Sequence, residues 1–399
     1  MVQTATYNFS SNISMGLSNA LLVRCANFTA TDLGTLFIAR TLATIASIPL
    51  AAHALSRNRH KRKTLWDLGG TINALLPSAL ILVPMMGFGK LYVALVIFVV
   101  AQATGTIASI ASSDVIADLV PPDIAYDFFK HVNRIIYMTN VLSLLIGIVA
   151  FNISDSLFQA YAAVYSISAI AALISSVALS KIKDAAAAME DPQGNGRNIA
   201  SALTHLLANP SLRNYLLIQA MLSFAVGVPS PFWDFLILKV LGGTEVIILA
   251  KNSVGLLARV FSTHLWSRLF KTNGAKKPTV MGLTLVSAVP AIYALLPNAL
   301  ASLPAEAFSG FAWTSMDFSS TLYSLYLPKR NERVFLNSVL NMVNSVAGVV
   351  SAALGTAIAS HGSILYPFWV SAALRLTVVA ASSFALPELR PQNSDEGLK

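Results

Sequence analysis

Few residues in this chain could do chemistry, and most of those sit where a charge is costly. Five basic residues, Arg24, Arg40, Lys251, Arg259 and Arg375, fall inside long apolar runs, as do two acids, Asp234 and Asp317. An ionisable group in hydrocarbon is rare and defaults to a functional hypothesis with a partner to be named. At about 1.5 Å per helical residue, Asp317 and Arg259 reach similar depths near the bilayer midplane, so they are expected to pair. Asp234 and Lys251 are expected to meet nearer one membrane face. Each pair either neutralises itself and fixes helix packing, or contributes a member that binds a solute or carries a proton. Asp317, Arg259 and Asp234 are therefore the candidates for proton coupling, with Asp317 first. Cations outnumber acids, which points to an anionic solute with Arg24, Arg40 and Lys251 as its partners. Cys25 is the sole cysteine, so no intrachain disulfide forms, and a buried thiol is expected. No His, Cys and carboxylate cluster has metal-ligand spacing, and no Gly-rich phosphate loop is present. Neither metal nor cofactor is expected, and an ATP-driven pump lacks its nucleotide module.

The elements that must position these residues follow from composition. Of 399 residues, 55% are hydrophobic and 11% charged, against about 25% charged in soluble chains. The natural solvent for such a surface is lipid. Runs long enough to span a bilayer, about 20 residues each, lie near 5–27, 31–56, 65–86, 90–118, 129–152, 156–181, 213–238, 243–269, 278–297, 302–326, 334–360 and 364–386. The prediction is an all-α integral membrane protein with twelve transmembrane helices. Pro121 and Pro122 end the fourth, and Pro229 and Pro231 should bend the seventh.

Loop charge sets the orientation. Twenty of the 27 basic residues fall on one side, including Arg57, Arg59, Lys61, Arg62 and Lys63. That side is expected to be cytoplasmic, with both termini on it, in a multi-pass protein of the cell membrane. The net charge of +9 sits in short loops, so it encodes topology and contacts with lipid headgroups, and no nucleic-acid partner is expected.

The two halves resemble each other. A shift of 207 residues puts Pro121 on Pro328, Phe128 on Phe335 and Val132 on Val339. A shift of 208 puts Gly147 on Gly355, and one of 211 puts Arg40 on Lys251 and Arg57 on Arg268. Duplication explains the order and the near-constant offset. It predicts two pseudo-symmetric six-helix bundles, over 1–181 and 213–387, with a cytoplasmic linker at 182–212 and a tail at 388–399.

With that layout the chain resembles the major facilitator superfamily over about residues 5–387. The family motif after the second helix, roughly Gly-x-x-x-Asp-Arg-x-Gly-Arg-Arg, is similar to Ala52-His53-Ala54-Leu55-Ser56-Arg57-Asn58-Arg59-His60-Lys61. Its second copy is similar to Ser267 through Lys276. The acidic position is Ser56 in one copy and Lys271 in the other, so the family's cytoplasmic latch lacks its acid. Arg57, Arg59, Lys61, Gly274 and Lys276 remain the gating-loop candidates. The arginine of the family's fourth-helix motif falls at Ala101, so the proton-antiport signature is absent.

The resemblance places the first, fourth, seventh and tenth helices around a central cavity. These offer Asn12 and Asn19, Gln102, Gln219 and Trp233, and Trp313 as substrate-binding candidates beside Arg24, Arg40 and Lys251. It implies a monomeric secondary transporter that moves a small solute by alternating access, with protons as the candidate coupling ion. Export of amphipathic compounds is the alternative. A membrane enzyme would need a catalytic cluster at one membrane face, and the sequence offers none. A non-transporting sensor would need a larger soluble domain than the linker provides.

Overall fold

The computed structural model describes residues 2–57, 61–119, 122–181, 204, 208–328 and 333–389. The described residues are helical apart from short connections between helices. In order they are α1 (Val2–Cys25), α2 (Ala30–Arg57), α3 (Arg62–Leu75), α4 (Lys90–Leu119), α5 (Pro122–Ile153) and α6 (Leu157–Ser180). Then follow α7 (Pro210–Gly227), α8 (Glu245–Asn273), α9 (Lys276–Ala294), α10 (Ser302–Tyr326), α11 (Arg333–His361) and α12 (Tyr366–Ala385). The twelve expected spans coincide with these twelve helices, and three differences have local causes. Pro77 and Pro84 turn the second half of the third span into a 3-10 helix, Leu76–Met85. Beyond Gly227 the seventh span is broken around its prolines. It continues as a 3-10 turn at Ser230–Phe232, a single α-turn at Trp233–Phe235 and a π-helix at Leu236–Val240. The fifth helix starts at Pro122, earlier than expected, because proline suits a first helical position. Most of the expected linker, and the tail beyond residue 389, lie outside the described residues.

Nine of the described helical segments are long and apolar enough to cross a membrane. The helices that fall short are α1, α9 and α10; α1 is rich in Asn, Ser and Thr, and α10 in Ser and Thr with two acids. Large apolar side chains face outward, among them Phe384 at 88% exposure and Phe261 at 79%. This is the surface of a multi-pass membrane protein.

The chain forms two compact units. The first holds residues 1–194, 231–253 and 298–300, and the second holds 195–230, 254–297 and 301–399. In the first unit α1 packs on α5 and α6, α2 and α3 pack on α4, and α3 also meets α6. Small polar residues bring the helices together, as where the Ser10 and Ser168 hydroxyls lie 3.0 Å apart. In the second unit α7 packs on α11 and α12, while α9 packs on α10 and α12. Trp266 of α8 donates to the carbonyl of Phe311 on α10 at 2.8 Å. Taken separately, the two units use the same internal scheme, as a duplication predicts.

The glycines matched by the repeat both sit at close helix contacts, against side chains in one unit and against backbone in the other. A Cβ on Gly147 of α5 would meet Leu249 at 3.0 Å and Ile13 of α1 at 3.6 Å. One on Gly355 of α11 would lie 2.0 Å from the Val228 carbonyl oxygen, just past α7. Backbone cannot yield as a flexible side chain can, so Gly355→Ala should destabilise the protein by about 1–3 kcal/mol through overpacking. Gly16→Ala, where the added carbon meets nothing within 4 Å, should not. Melting temperatures of the two variants in detergent check this pair.

Candidate functional site

The residues singled out above fall into three clusters, two in the first unit and one in the second. The first lies where α1 ends. Arg24 donates from Nη2 to the Gly243 carbonyl, and its Nε lies 3.3 Å from Glu245 Oε1. The same carboxylate oxygen accepts from the Tyr161 hydroxyl of α6 at 3.2 Å. Glu245 is 4% exposed and sits in the first turn of α8, where the helix dipole also favours its charge. Residues 231–253 are thereby tied to α1 and α6. Leu249, fully buried, seats on Gly147 in the same region.

The second cluster surrounds Arg40 of α2. Its guanidinium stacks over the Phe98 ring of α4 at 5.0 Å, and no anion is paired with it among the described residues. The small cavity there is lined by Asn19, Leu33, Leu36, Phe37, Arg40, Phe98 and Pro231. Its free space is about 10 Å³, room for roughly one water molecule. Asn19 reaches from this cavity to Asp234, with Nδ2 3.5 Å from Oδ2. Lys251, 5% exposed, does not join Asp234 as the sequence led us to expect. Its Nζ instead bonds the side chain of its neighbour Asn252 at 2.8 Å.

The third cluster is the α8–α10 seam. Arg259 Nη1 meets Asp317 Oδ2 at 2.8 Å, the pair expected from depth alone. Both stay accessible, at 30% and 46% side-chain exposure. Ser262 donates to Thr314 at 2.8 Å one turn further on. Higher on the seam, a Cβ on Gly310 would lie 2.2 Å from the Gly255 carbonyl oxygen, so the two backbones touch there.

The remaining candidates serve local contacts. Asn12 donates to Ser143 at 2.8 Å and to the Asn140 carbonyl at 3.2 Å, fixing α1 to α5. Gln219 donates to the Tyr215 hydroxyl one turn away. Trp313 is half-buried beneath Arg375, whose guanidinium carbon lies 6.0 Å from the ring and which donates to the Val286 carbonyl at 2.9 Å. Gln102 and Trp233 are half-buried on α4 and on the turn after α7. Arg62, counted with the loop charges, begins α3 and is fully buried. Cys25 is half-buried, not enclosed.

No family model matches the chain, and no curated protein matches it in sequence. Solved structures do match it. The xylose transporter XylE from E. coli in an inward open conformation superposes with a TM-score of 0.71 at 13% identity, over 98% of this chain and 96% of that one. The nucleoside transporter NupG gives 0.68 at 13%, over 95% and 97%. A POT family transporter bound to a thioalcohol-conjugated peptide gives 0.69 at 12%, over 95% and 94%. The chain has the major facilitator superfamily fold.

Within that fold the gating-loop candidates fall unevenly. Arg59 and the Arg57 side chain lie outside the described residues, and Lys61 precedes α3 as an exposed residue. Gly274 is left-handed, with φ of 71°, and a Cβ there would lie 2.3 Å from Glu388 Oε1. The chain after α12 folds back on this turn, where Ala275 N donates to the Leu389 carbonyl at 2.8 Å. The family-motif glycine thus has a backbone reason, and Lys276 opens α9 directly after it.

Two acids escaped the sequence reading, Glu245 and Glu306. Each lies within a few residues of a span's start, where an acid reads as a helix-terminus residue facing water. Glu245 has the better-defined partners. Removing Arg24 leaves its buried carboxylate with only Tyr161 and the helix terminus. Arg24→Gln should therefore cost about 1–3 kcal/mol, discounted from a fully buried pair because Arg24 is 30% exposed. The double variant Arg24→Gln, Glu245→Gln should recover part of that loss, as read from melting temperatures in detergent.

Proposed function

We propose that this protein is a secondary transporter that carries a small solute across the cell membrane by alternating access, the two halves exposing one site to each side in turn. One observation carries the proposal. The fold likeness runs over at least 94% of both chains and is shared with transporters named for xylose and nucleosides and with one solved in complex with a conjugated peptide. Loop charge supports a cytoplasmic location for both termini.

The solute we favour is a small organic anion. Arg40 is a half-buried cation with an aromatic ring and, among the described residues, no paired acid, and Asn19 adds an amide to the same cavity. Lys251 is a second buried cation, and among the described residues its ammonium is met by an amide. A bound anion would balance charges that the protein itself leaves unbalanced. Five of the seven cavity residues are apolar, namely Leu33, Leu36, Phe37, Phe98 and Pro231. That supports a second reading, export of amphipathic compounds. A cation set among apolar walls suits a solute with one charged end and an apolar body, so the two readings differ mainly in direction and size. Asp317, paired with Arg259 and accessible, is the proposed coupling acid.

Purified protein in liposomes, screened against labelled organic anions, sugars and amphipathic dyes with and without an imposed proton gradient, tests this. Saturable uptake of an anion is expected, and Arg40→Gln should raise its half-saturation concentration roughly tenfold, the loss of one charge-assisted contact. Asp317→Asn should abolish gradient-driven accumulation and leave exchange intact. Undiminished accumulation in Asp317→Asn would remove it from the coupling step. Uptake confined to neutral solutes, indifferent to Arg40, would overturn the anion assignment.

A further inference from the structure

Glu306 has no role in the proposal above, yet its surroundings are unusual. It lies five residues into α10, half-buried, and its Oε2 accepts from the Tyr293 hydroxyl of α9 at 2.5 Å. No cation is paired with it among the described residues. On its other side is Gly255 of α8, where an added Cβ would meet Glu306 Oε1 at 3.0 Å. A carboxylate inside a membrane protein with one phenol for a partner is poorly compensated.

Helix geometry bears on which cation could serve it. Glu306 and Asp317 are eleven residues apart on α10, three turns, which puts them within about 20° of one face and about 16 Å apart along it. Arg259 belongs to the facing stretch of α8, one turn past Gly255. The two backbones touch at Gly255 and Gly310, so little space separates Arg259 from that face. Helical side chains lean toward their own N-terminus, which for Arg259 is toward Gly255 and Glu306. In the observed state it reaches the other way, to Asp317 at 2.8 Å.

We propose that Arg259 is shared between two acids, and that Glu306 is a proton-binding site which takes up a proton while Arg259 is on Asp317 and releases it when Arg259 swings over. The titratable and charged groups near Glu306 are few. Tyr293 faces it from α9. On α8 the charged residues within one turn of Gly255 are Arg259 and Lys251, and the Lys251 ammonium is bonded to Asn252. On α10 itself the next charge is Asp317. Binding a proton at Glu306 and moving Arg259 are then one event, which supplies coupling for the transport reading on which this inference rests.

A thermal-stability cycle in detergent tests the sharing without any solute. Asp317→Asn and Glu306→Gln should each lower the melting temperature little, because Arg259 keeps one acid. The double variant should fall several degrees beyond their sum, and that excess should vanish in an Arg259→Gln background. Asp317→Asn should also lose stability on acidification, since its remaining pair needs charged Glu306, and the double variant should not. Additive losses, or an excess that persists without Arg259, would overturn the sharing whether or not transport is found. If either single variant fails to fold, the proposal falls, because each was to be rescued by the other acid. If transport is found, Glu306→Gln that still accumulates solute against a gradient would overturn the proton site alone.

Discussion

A charge in hydrocarbon must find its compensation inside the protein, and the arrangement of this molecule follows from how its charges do so. Arg24 meets Glu245, and Arg259 meets Asp317. Among the described residues, three more cations of the apolar stretches are met by neutral groups: a phenylalanine ring for Arg40, a carbonyl and a tryptophan ring for Arg375, and an amide for Lys251. Each solution needs a particular neighbour helix at close range. Ring stacking weakens quickly beyond about 6 Å, and a carbonyl acceptor must lie within hydrogen-bond distance. The charges therefore fix which helices pack together, and apolar burial alone would leave that choice open in a lipid solvent.

Close range in turn depends on small residues. Gly255 and Gly310 let α8 and α10 touch, on the same seam where Arg259 meets Asp317. Gly147 and Gly355 do the equivalent for the fifth helix of each unit. Gly69 presses on the Thr104 carbonyl between α3 and α4, as Gly282 presses on Ser315 between α9 and α10. These contacts sit at matching places in the two internal schemes, so the repeat is maintained by packing, where no direct chemistry is involved.

Much of this was legible in the sequence. Apolar runs and proline breaks located all twelve helices, since length and hydropathy are local properties. Equal depth in two apolar runs paired Arg259 with Asp317, because both side chains lie along parallel helices at one level. The pairing of Lys251 with Asp234 failed for a related reason. The helix break after Gly227 leaves Asp234 on a single turn before a π-helix, where depth no longer follows from residue count. Glu245 and Glu306 were hidden because an acid near a helix start is ordinarily a solvated cap. Only tertiary packing shows that Arg24, Tyr161 and Gly255 close over them. The gating-loop glycine was legible as a motif residue, but its reason, a left-handed turn against the returning chain end, was not.

The two seams formed by the second helix of each half differ in how their cations are compensated. On the α2–α4 seam Arg40 faces a stretch of α4, residues 91–101, that contains no acid at all. On the α8–α10 seam Arg259 faces a helix carrying acids above and below it. A cation without an acid gains from an incoming anion, since nothing in the protein competes for it. A cation already held by a carboxylate gains little from a solute, but its pairing responds to any proton that neutralises the acid. The same packing thus yields one seam whose cation has no paired acid among the described residues and one whose cation has. The difference lies in the residues of the fourth and tenth helices, not in the backbone that both halves share.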